Sequence, residues 1–235
     1  MNERIRAKSQ AGEHKREGNA EVTAQEAPQK ALQKATHEAA GVMAEGKVHP
    51  RKLEIVQAAI ACFLERGFHQ TGVRDIAERA GISLGNLYNH FKSKDALLAY
   101  IAELDGAELA AFGRALSEGE DPRAALAGFM AEYGAYACRP ENALLGVELL
   151  AEALRNPSVG TVFERHRRGL VGALAGCLEA GADSGVFARC DDMRGVASLM
   201  LDALEGYGLR RLQEGTADGP SFEALCAVLM RGVRA

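Results

Sequence analysis

Residues 67–98 read GFHQTGVRDIAERAGISLGNLYNHFKSKDALL, and the punctuation of this stretch decides the fold. Val73 to Ala80 can wind as a short amphipathic helix with Ile76, Ala77 and Ala80 on one face. Gly81 can take the positive φ that ends a helix, and Ser83 can cap a second short helix over 84–90. Two short helices joined by a tight glycine-containing turn make a helix-turn-helix. Ala77 is small where the two helices must cross, and Ile82, Leu87 and Phe91 lock the second onto the first.

The same spacing says what faces outward. With Leu87 and Phe91 turned to the core, Gly85, Asn86, Tyr88, Asn89 and His90 lie across a surface one turn wide. Such a helix offers hydroxyl, amide and imidazole groups to base edges and phosphates. Ser93 caps a third helix flanked by Lys92 and Lys94, and a helix N-terminus beside a lysine suits a phosphate. More ordinary readings stand beside these: a partly packed ring for Tyr88, a solvated Arg74 or an Arg74–Glu78 pair, and a helix cap for His90. Lys92 reads best as a solvated charge.

Working outward, Leu53, Val56, Ala59, Ile60 and Phe63 recur at helical spacing before Gly67 stops the run. Downstream, Asp121-Pro122 and Asn156-Pro157 each set a capping residue before a proline suited to the first helical turn. Pro140 and Pro220 sit in breaks. No alternating strand pattern emerges, so the chain is expected to be all-α. Helices are predicted over 51–66, 73–80, 84–90, 94–117, 122–138, 141–155, 158–182, 191–214 and 221–233. Residues 1–48 are rich in Ala, Glu, Gln and Lys and too poor in large apolar groups to offset their ordering entropy. They are expected to be a polar, mostly disordered extension, solvated or touching DNA.

The 235 residues carry a formal net charge of −4, which by itself argues against a nucleic-acid partner. The distribution argues otherwise. Residues 51–95 hold 7 basic and 5 acidic side chains, whereas residues 96–235 hold 13 basic and 20 acidic ones and no lysine. A mildly basic segment therefore precedes an acidic body. No apolar run is long enough to span a bilayer, and the polar start does not read as a secretory signal. Five cysteines at wide spacing form no CxxC pair, against a disulfide scaffold or zinc site and for a reducing, cytoplasmic setting.

The stretch over about 51–98 resembles the DNA-binding domain of TetR-family transcriptional repressors. The resemblance rests on Ala58 and Ala59, Phe63, Gly67-Phe68, Thr71 and the block Val73-Arg74-Asp75-Ile76-Ala77. It continues through Ala80-Gly81-Ile82-Ser83, Gly85-Asn86-Leu87-Tyr88, His90-Phe91 and Ser93-Lys94-Asp95-Ala96-Leu97-Leu98. It implies phosphate contacts from Thr71, Tyr88 and Lys94, and places Arg74, Ser83, Gly85, Asn86, Asn89 and His90 near base edges. One departure stands out: Gly72 replaces a usual Thr or Ser, so a cap hydroxyl that often meets phosphate is missing.

The resemblance also implies three parts: the extension at 1–48, a DNA-binding domain at 49–109 with its motif at 72–91, and a helical ligand-binding and dimerisation domain at 110–235. Two apolar stripes suit a four-helix dimer interface. One runs through Val196, Leu199, Met200, Ala203 and Leu204, the other through Phe222, Leu225, Val228 and Leu229. The alternative is that both face their own core. A small-molecule pocket is expected between residues 99 and 207, with candidates Phe112, Phe129, Tyr133, Tyr136, Phe163, His166, Met200 and Tyr207; core packing competes for each. Glycines at 106, 113, 128, 134, 169, 172 and 176 suggest close helix packing. The basic run 164–168 is expected to be solvated or paired with the acidic body.

No nucleophile elbow, phosphate loop or metal motif is present, so neither an enzyme nor a cofactor is expected beyond a small-molecule inducer of unknown identity. The expected function is a homodimeric, ligand-responsive repressor on a palindromic operator, in which the helix beginning at Ser93 relays the body's state to the reading head. The alternative of the same fold is a thiol-based sensor using Cys138, beside Arg139, or Cys190, beside Arg189 and Asp191-Asp192. Response to a protein partner is a third reading.

Overall fold

The computed structural model describes residues 50–214 and 221–235, so the N-terminal extension lies outside the described residues. Within them the chain forms nine helices: α1 (Pro50–Arg66), α2 (Val73–Arg79), α3 (Leu84–His90), α4 (Lys94–Glu118), α5 (Pro122–Ala137), α6 (Pro140–Ala153), α7 (Pro157–Asp183), α8 (Met193–Glu214) and α9 (Phe222–Gly232). Each matches a helix predicted from the sequence to within a few residues.

The caps explain why the helices begin where they do. Asp121 accepts from the Arg123 N–H and Asn156 from the Ser158 N–H, each with proline opening the helix. Ser93 caps α4 and Ser221 caps α9 through the N–H three residues on. Gly81, at φ +64°, closes α2. The Ile82 N–H donates to the Ala77 carbonyl and the Gly81 N–H to that of Glu78, the paired bonds of a Schellman turn.

Two apolar clusters share α4. Near its start, Leu97, Leu98, Ile101, Ala102 and Leu104 pack with α1–α3, and Leu149 and Val159 of the body join them. Near its end, Leu116 joins a cluster built mainly from α5, α7 and α8. The α4–α7 contact is the most extensive between helices. It depends on Gly106, whose missing Cβ would lie 2.1 Å from the His166 ring. Gly134 serves Phe222 in the same way. Gly128, Gly169 and Gly176 meet nothing, so the close packing expected of them is absent. An isolated bridge pairs Phe187 with Arg234 and pins the C-terminus beside the end of α7. No helix among the described residues is long and apolar enough to cross a membrane.

Candidate nucleic-acid interface and effector cavity

The reading head is built from inside out. Leu87 is 0 % exposed and Phe91 3 %, which fixes the rotation of α3. Ser83 accepts the Asn86 N–H at 3.2 Å, so its hydroxyl caps α3 while the residue stays exposed. Gly85, Tyr88 and Asn89 are exposed, and Asn86 and His90 half-buried. Tyr88 is 40 % exposed, so its ring is more than a core contact. On α2, Arg74 is exposed and, among the described residues, makes no ion pair with Glu78. Its neighbours are occupied: Arg79 pairs with Glu65 at 2.6 Å and Arg66 with Asp75 at 3.6 Å.

Two expected phosphate ligands are turned the other way. Thr71 is 1 % exposed, and its hydroxyl lies 2.8 Å from the Gly67 carbonyl and 3.1 Å from that of Cys62. The Lys94 ammonium donates to the Phe68 carbonyl at 2.7 Å and the Thr71 carbonyl at 3.0 Å, and sits 4.1 Å from the centre of the Phe68 ring. The physical reason is the tight loop between α1 and α2. Its carbonyls point inward and need donors, which Thr71 and Lys94 supply. Neither offers the outward, uncommitted donor that was expected. Gly72 caps α2 without a side chain; only the returning half of a capping box is present, the Asp75 carboxylate accepting the Gly72 N–H at 2.7 Å.

The body grips this loop from the far side. Glu148 on α6 accepts the Phe68 N–H at 2.9 Å. Glu152, one turn on, lies 2.8 Å from the His69 ring nitrogen, with Arg155 at 3.8 Å. The segment 148–157 resembles a mid-body helix of TetR-family members, but the sequence assigns neither glutamate a role, because the loop they hold is about eighty residues away.

A cavity of about 300 Å³ lies in the body between α4, α5, α6, α7 and α8. Of the expected lining residues, Tyr133, Tyr136, Phe163 and His166 reach it. Phe112 and Phe129 form a second layer: Phe112 meets both tyrosines edge-on, and Phe129 stacks on Tyr133 at 5.2 Å. Met200 is core, and Tyr207 packs on Phe222. Four charged lining residues, Asp105, Arg167, Asp202 and Glu205, are absent from the sequence-based candidates. Asp105 accepts from the Tyr136 hydroxyl at 2.5 Å, and Glu205 from the Tyr133 hydroxyl at 2.8 Å. Burial pushes both carboxyls above the usual range, and pushes both phenols well up. The 3.6-residue register could have revealed Asp105, one turn after Ile101 on a helix otherwise packed by leucines.

The basic run of α7 is paired, as expected of an acidic body. Arg165 and His166 meet Glu103, Arg167 meets Asp202 and Glu205, and Arg168 meets Glu164. The two apolar stripes divide. Leu204 (0 %) and Met200 (3 %) are buried within the chain, correcting their assignment to an interface, whereas Leu199 (69 %) and Val228 (57 %) are exposed. Val196, Ala203, Phe222, Leu225 and Leu229 lie between these extremes. Among the thiols, burial raises Cys138 despite Arg211 nearby, and raises Cys177 and Cys226. Cys62 is buried and Cys190 exposed. A raised Cys138 works against the thiol-sensor alternative. No metal-binding group of His, Cys, Asp or Glu occurs among the described residues.

An outward-facing helix-turn-helix carried on an all-helical body with an internal cavity defines the class of one-component helix-turn-helix regulators. The sequence profile of bacterial regulatory proteins of the tetR family matches residues 55–101. The repressor KstR2 of Mycobacterium tuberculosis is 49 % identical over 53 residues, 23 % of this chain and 26 % of KstR2. The matched stretch thus spans about a quarter of that relative. The regulator UidR of Escherichia coli is 27 % identical over 195 residues, covering 80 % of this chain and 94 % of UidR. A regulator from Saccharomonospora viridis solved with choline has a TM-score of 0.66 at 20 % identity, covering 78 % of this chain and 97 % of its own. Residues 55–101 are thus similar to the DNA-binding segment of bacterial regulatory proteins of the tetR family, and the similarity to UidR extends over most of the chain.

Proposed function

We propose that this protein is a homodimeric, ligand-responsive repressor. Each subunit inserts α3 into the major groove of a palindromic half-site, with Tyr88 on phosphate and Asn86, Asn89 and His90 at base edges. Leu199 and Val228, exposed on α8 and α9, mark the dimer face together with Val196, Ala203, Leu225 and Leu229. The acidic body disfavours contact with the duplex beyond the two reading heads. KstR2 is named a repressor and the Saccharomonospora viridis regulator holds choline; both support a repressor that answers to a small molecule.

The observation that carries the reading is the two-sidedness of α6. Ala143, Gly146, Val147 and Leu150 line the cavity. Leu145 and Leu149 pack into the reading head's core, and Glu148 and Glu152 hold its loop. A ligand that binds one position of α6 better than another shifts the loop, and hence α2 and α3, by its differential affinity alone. The relay therefore includes α6 as well as the helix beginning at Ser93.

The test is to select bound DNA from a random pool and measure its affinity by fluorescence anisotropy across salt concentrations. Specific binding by wild type, weakened in a folded Tyr88→Ala variant and falling steeply with salt, supports the reading. Full specific binding by Tyr88→Ala, or an affinity indifferent to salt, overturns it.

A further inference from the structure

The charges around the body cavity are unequal. Asp105, Asp202 and Glu205 line it against one guanidinium, that of Arg167, and the ring of His166. Arg167 is doubly engaged, bonding to Asp202 and lying 3.3 Å from Glu205. His166 is engaged too, its Nε2 lying 2.9 Å from Glu103. Both potential anion ligands are thus already matched to carboxylates. Asp105 bonds to a neutral group, the Tyr136 hydroxyl, and among the described residues it has no ion pair; the cationic group that acts on it is the His166 ring, which Glu103 already holds.

Apart from Asn142, whose amide donates to the Tyr136 carbonyl, the rest of the wall is mainly apolar and aromatic, with Leu109, Val147, Leu170, Leu201, Leu209 and Phe163. A more open groove adjoins the cavity and shares Leu150, Phe163, Arg167, Asp202 and Glu205 with it. An anionic ligand entering there meets three carboxylates and must break Arg167 from its partners to gain a cation. A neutral apolar ligand leaves Asp105 unmatched in a poorly solvated site. A cation supplies the missing counter-charge directly, and the neighbouring aromatic rings stabilise it further.

Building on the reading of this cavity as the effector site, we infer that the effector is an organic cation: an ammonium or related centre seated against Asp105, on an apolar body lying along α6 and α8. Asp105 is then the residue that determines specificity, and Tyr136 positions its carboxylate.

Three probes of equal chain length test this by isothermal titration calorimetry on the full chain, below their micellar concentrations: decyltrimethylammonium, decan-1-ol and decanoate. The cation is expected to bind at least tenfold tighter than the alcohol, with decanoate weakest. Asp105→Asn keeps an acceptor for Tyr136 and is expected to erase the preference, weakening the cation and binding decanol at least as tightly as wild type does. Gly146→Phe, which fills the cavity where a Cβ meets nothing within 4 Å, is expected to abolish binding of all three. If decanol or decanoate binds as tightly as the cation and Gly146→Phe blocks it, the cavity reading survives and the cation inference falls. If Asp105→Asn retains the preference, the inference falls as well. If no probe binds, or Gly146→Phe leaves binding intact, both readings fall. Should Asp105→Asn not fold, the wild-type ranking decides alone.

Discussion

The outer surface of α3 and the cavity wall between α4 and α5 both present tyrosines, in opposite states. Tyr88 is 40 % exposed. Tyr133 and Tyr136 are 3 % and 8 % exposed, and their hydroxyls bond to carboxylates. The outer face of α3 keeps its polar groups outside and rests on the buried Leu87, as binding to a charged duplex requires. The cavity wall turns two phenols inward and matches each to a carboxylate. A surface that meets DNA is therefore defined by what it leaves uncommitted, and a cavity by the one group it leaves without a counter-charge.

The largest effect separates the two sides of α3. Leu87→Ala removes a fully buried side chain and is expected to cost about 3 kcal/mol of stability, measured by denaturant unfolding, with DNA binding lost as a consequence. Tyr88→Ala, one residue on, is expected to leave stability within about 0.5 kcal/mol and weaken operator binding by roughly tenfold or more. If the two variants fail alike, the division between inside and outside of α3 collapses.

Lys94 tests whether the loop or the DNA holds its ammonium. With two carbonyls and a ring face as partners, Lys94→Met is expected to cost about 1–2 kcal/mol of stability. The slope of log affinity against log salt should stay nearly as in wild type. A slope reduced by about 0.9 with stability unchanged marks a phosphate contact instead.

The charged residues of α4 carry a pH signature of opposite signs. Asp105 is raised by burial. The native chain then binds more protons there than the unfolded chain, and this contribution falls as pH rises from the ordinary carboxyl range towards the raised value. Glu103 faces the opposite way. Burial acts against its charge, but hydrogen bonds from Arg165 and His166 outweigh it and hold the carboxyl low. Its contribution is present above the ordinary range and lost as pH falls. Asp105→Asn is therefore expected to lose less stability than wild type as pH rises above the ordinary carboxyl range, read from denaturant midpoints. An unchanged difference removes Asp105 as the source.

Legibility followed sequence distance. Caps and turns are local, so Ser83, Gly81, Asp121-Pro122 and Asn156-Pro157 announced their helices, and the periodicity of Ile76, Leu87 and Phe91 announced the inner face of the reading head. The cavity was legible only in part. Tyr133 and Tyr136 are conspicuous as aromatic residues with polar ends, but Asp105, Arg167 and Glu205 resemble any solvated charge until the fold brings them together. Thr71 and Lys94 misled for a related reason. Their chemistry suits a phosphate, and only the loop's inward carbonyls show that it is already used. Glu148 and Glu152 belong to a pattern that also fits an ordinary helix surface, and their meaning depends on a loop far away in sequence.

The smallest expected effect lies at Gly72, where the two regions' logic can be exchanged. Its φ of −88° is open to any residue, and only the Asp75 half of a capping box is present. Gly72→Ser adds a hydroxyl able to accept an α2 N–H. The new Cβ lies 3.2 Å from the Asp75 carboxylate, which must yield slightly. The net gain is therefore expected to be a few tenths of a kcal/mol, resolvable in denaturant unfolding with enough replicates. Position 72 is exposed, unlike Thr71, so the added hydroxyl also faces where a phosphate would pass. If it serves only as a cap, stability rises and operator affinity follows no further than that. If affinity rises at unchanged stability, the position belongs to the DNA surface, and the wild-type chain does without a contact that its neighbour Thr71 cannot supply.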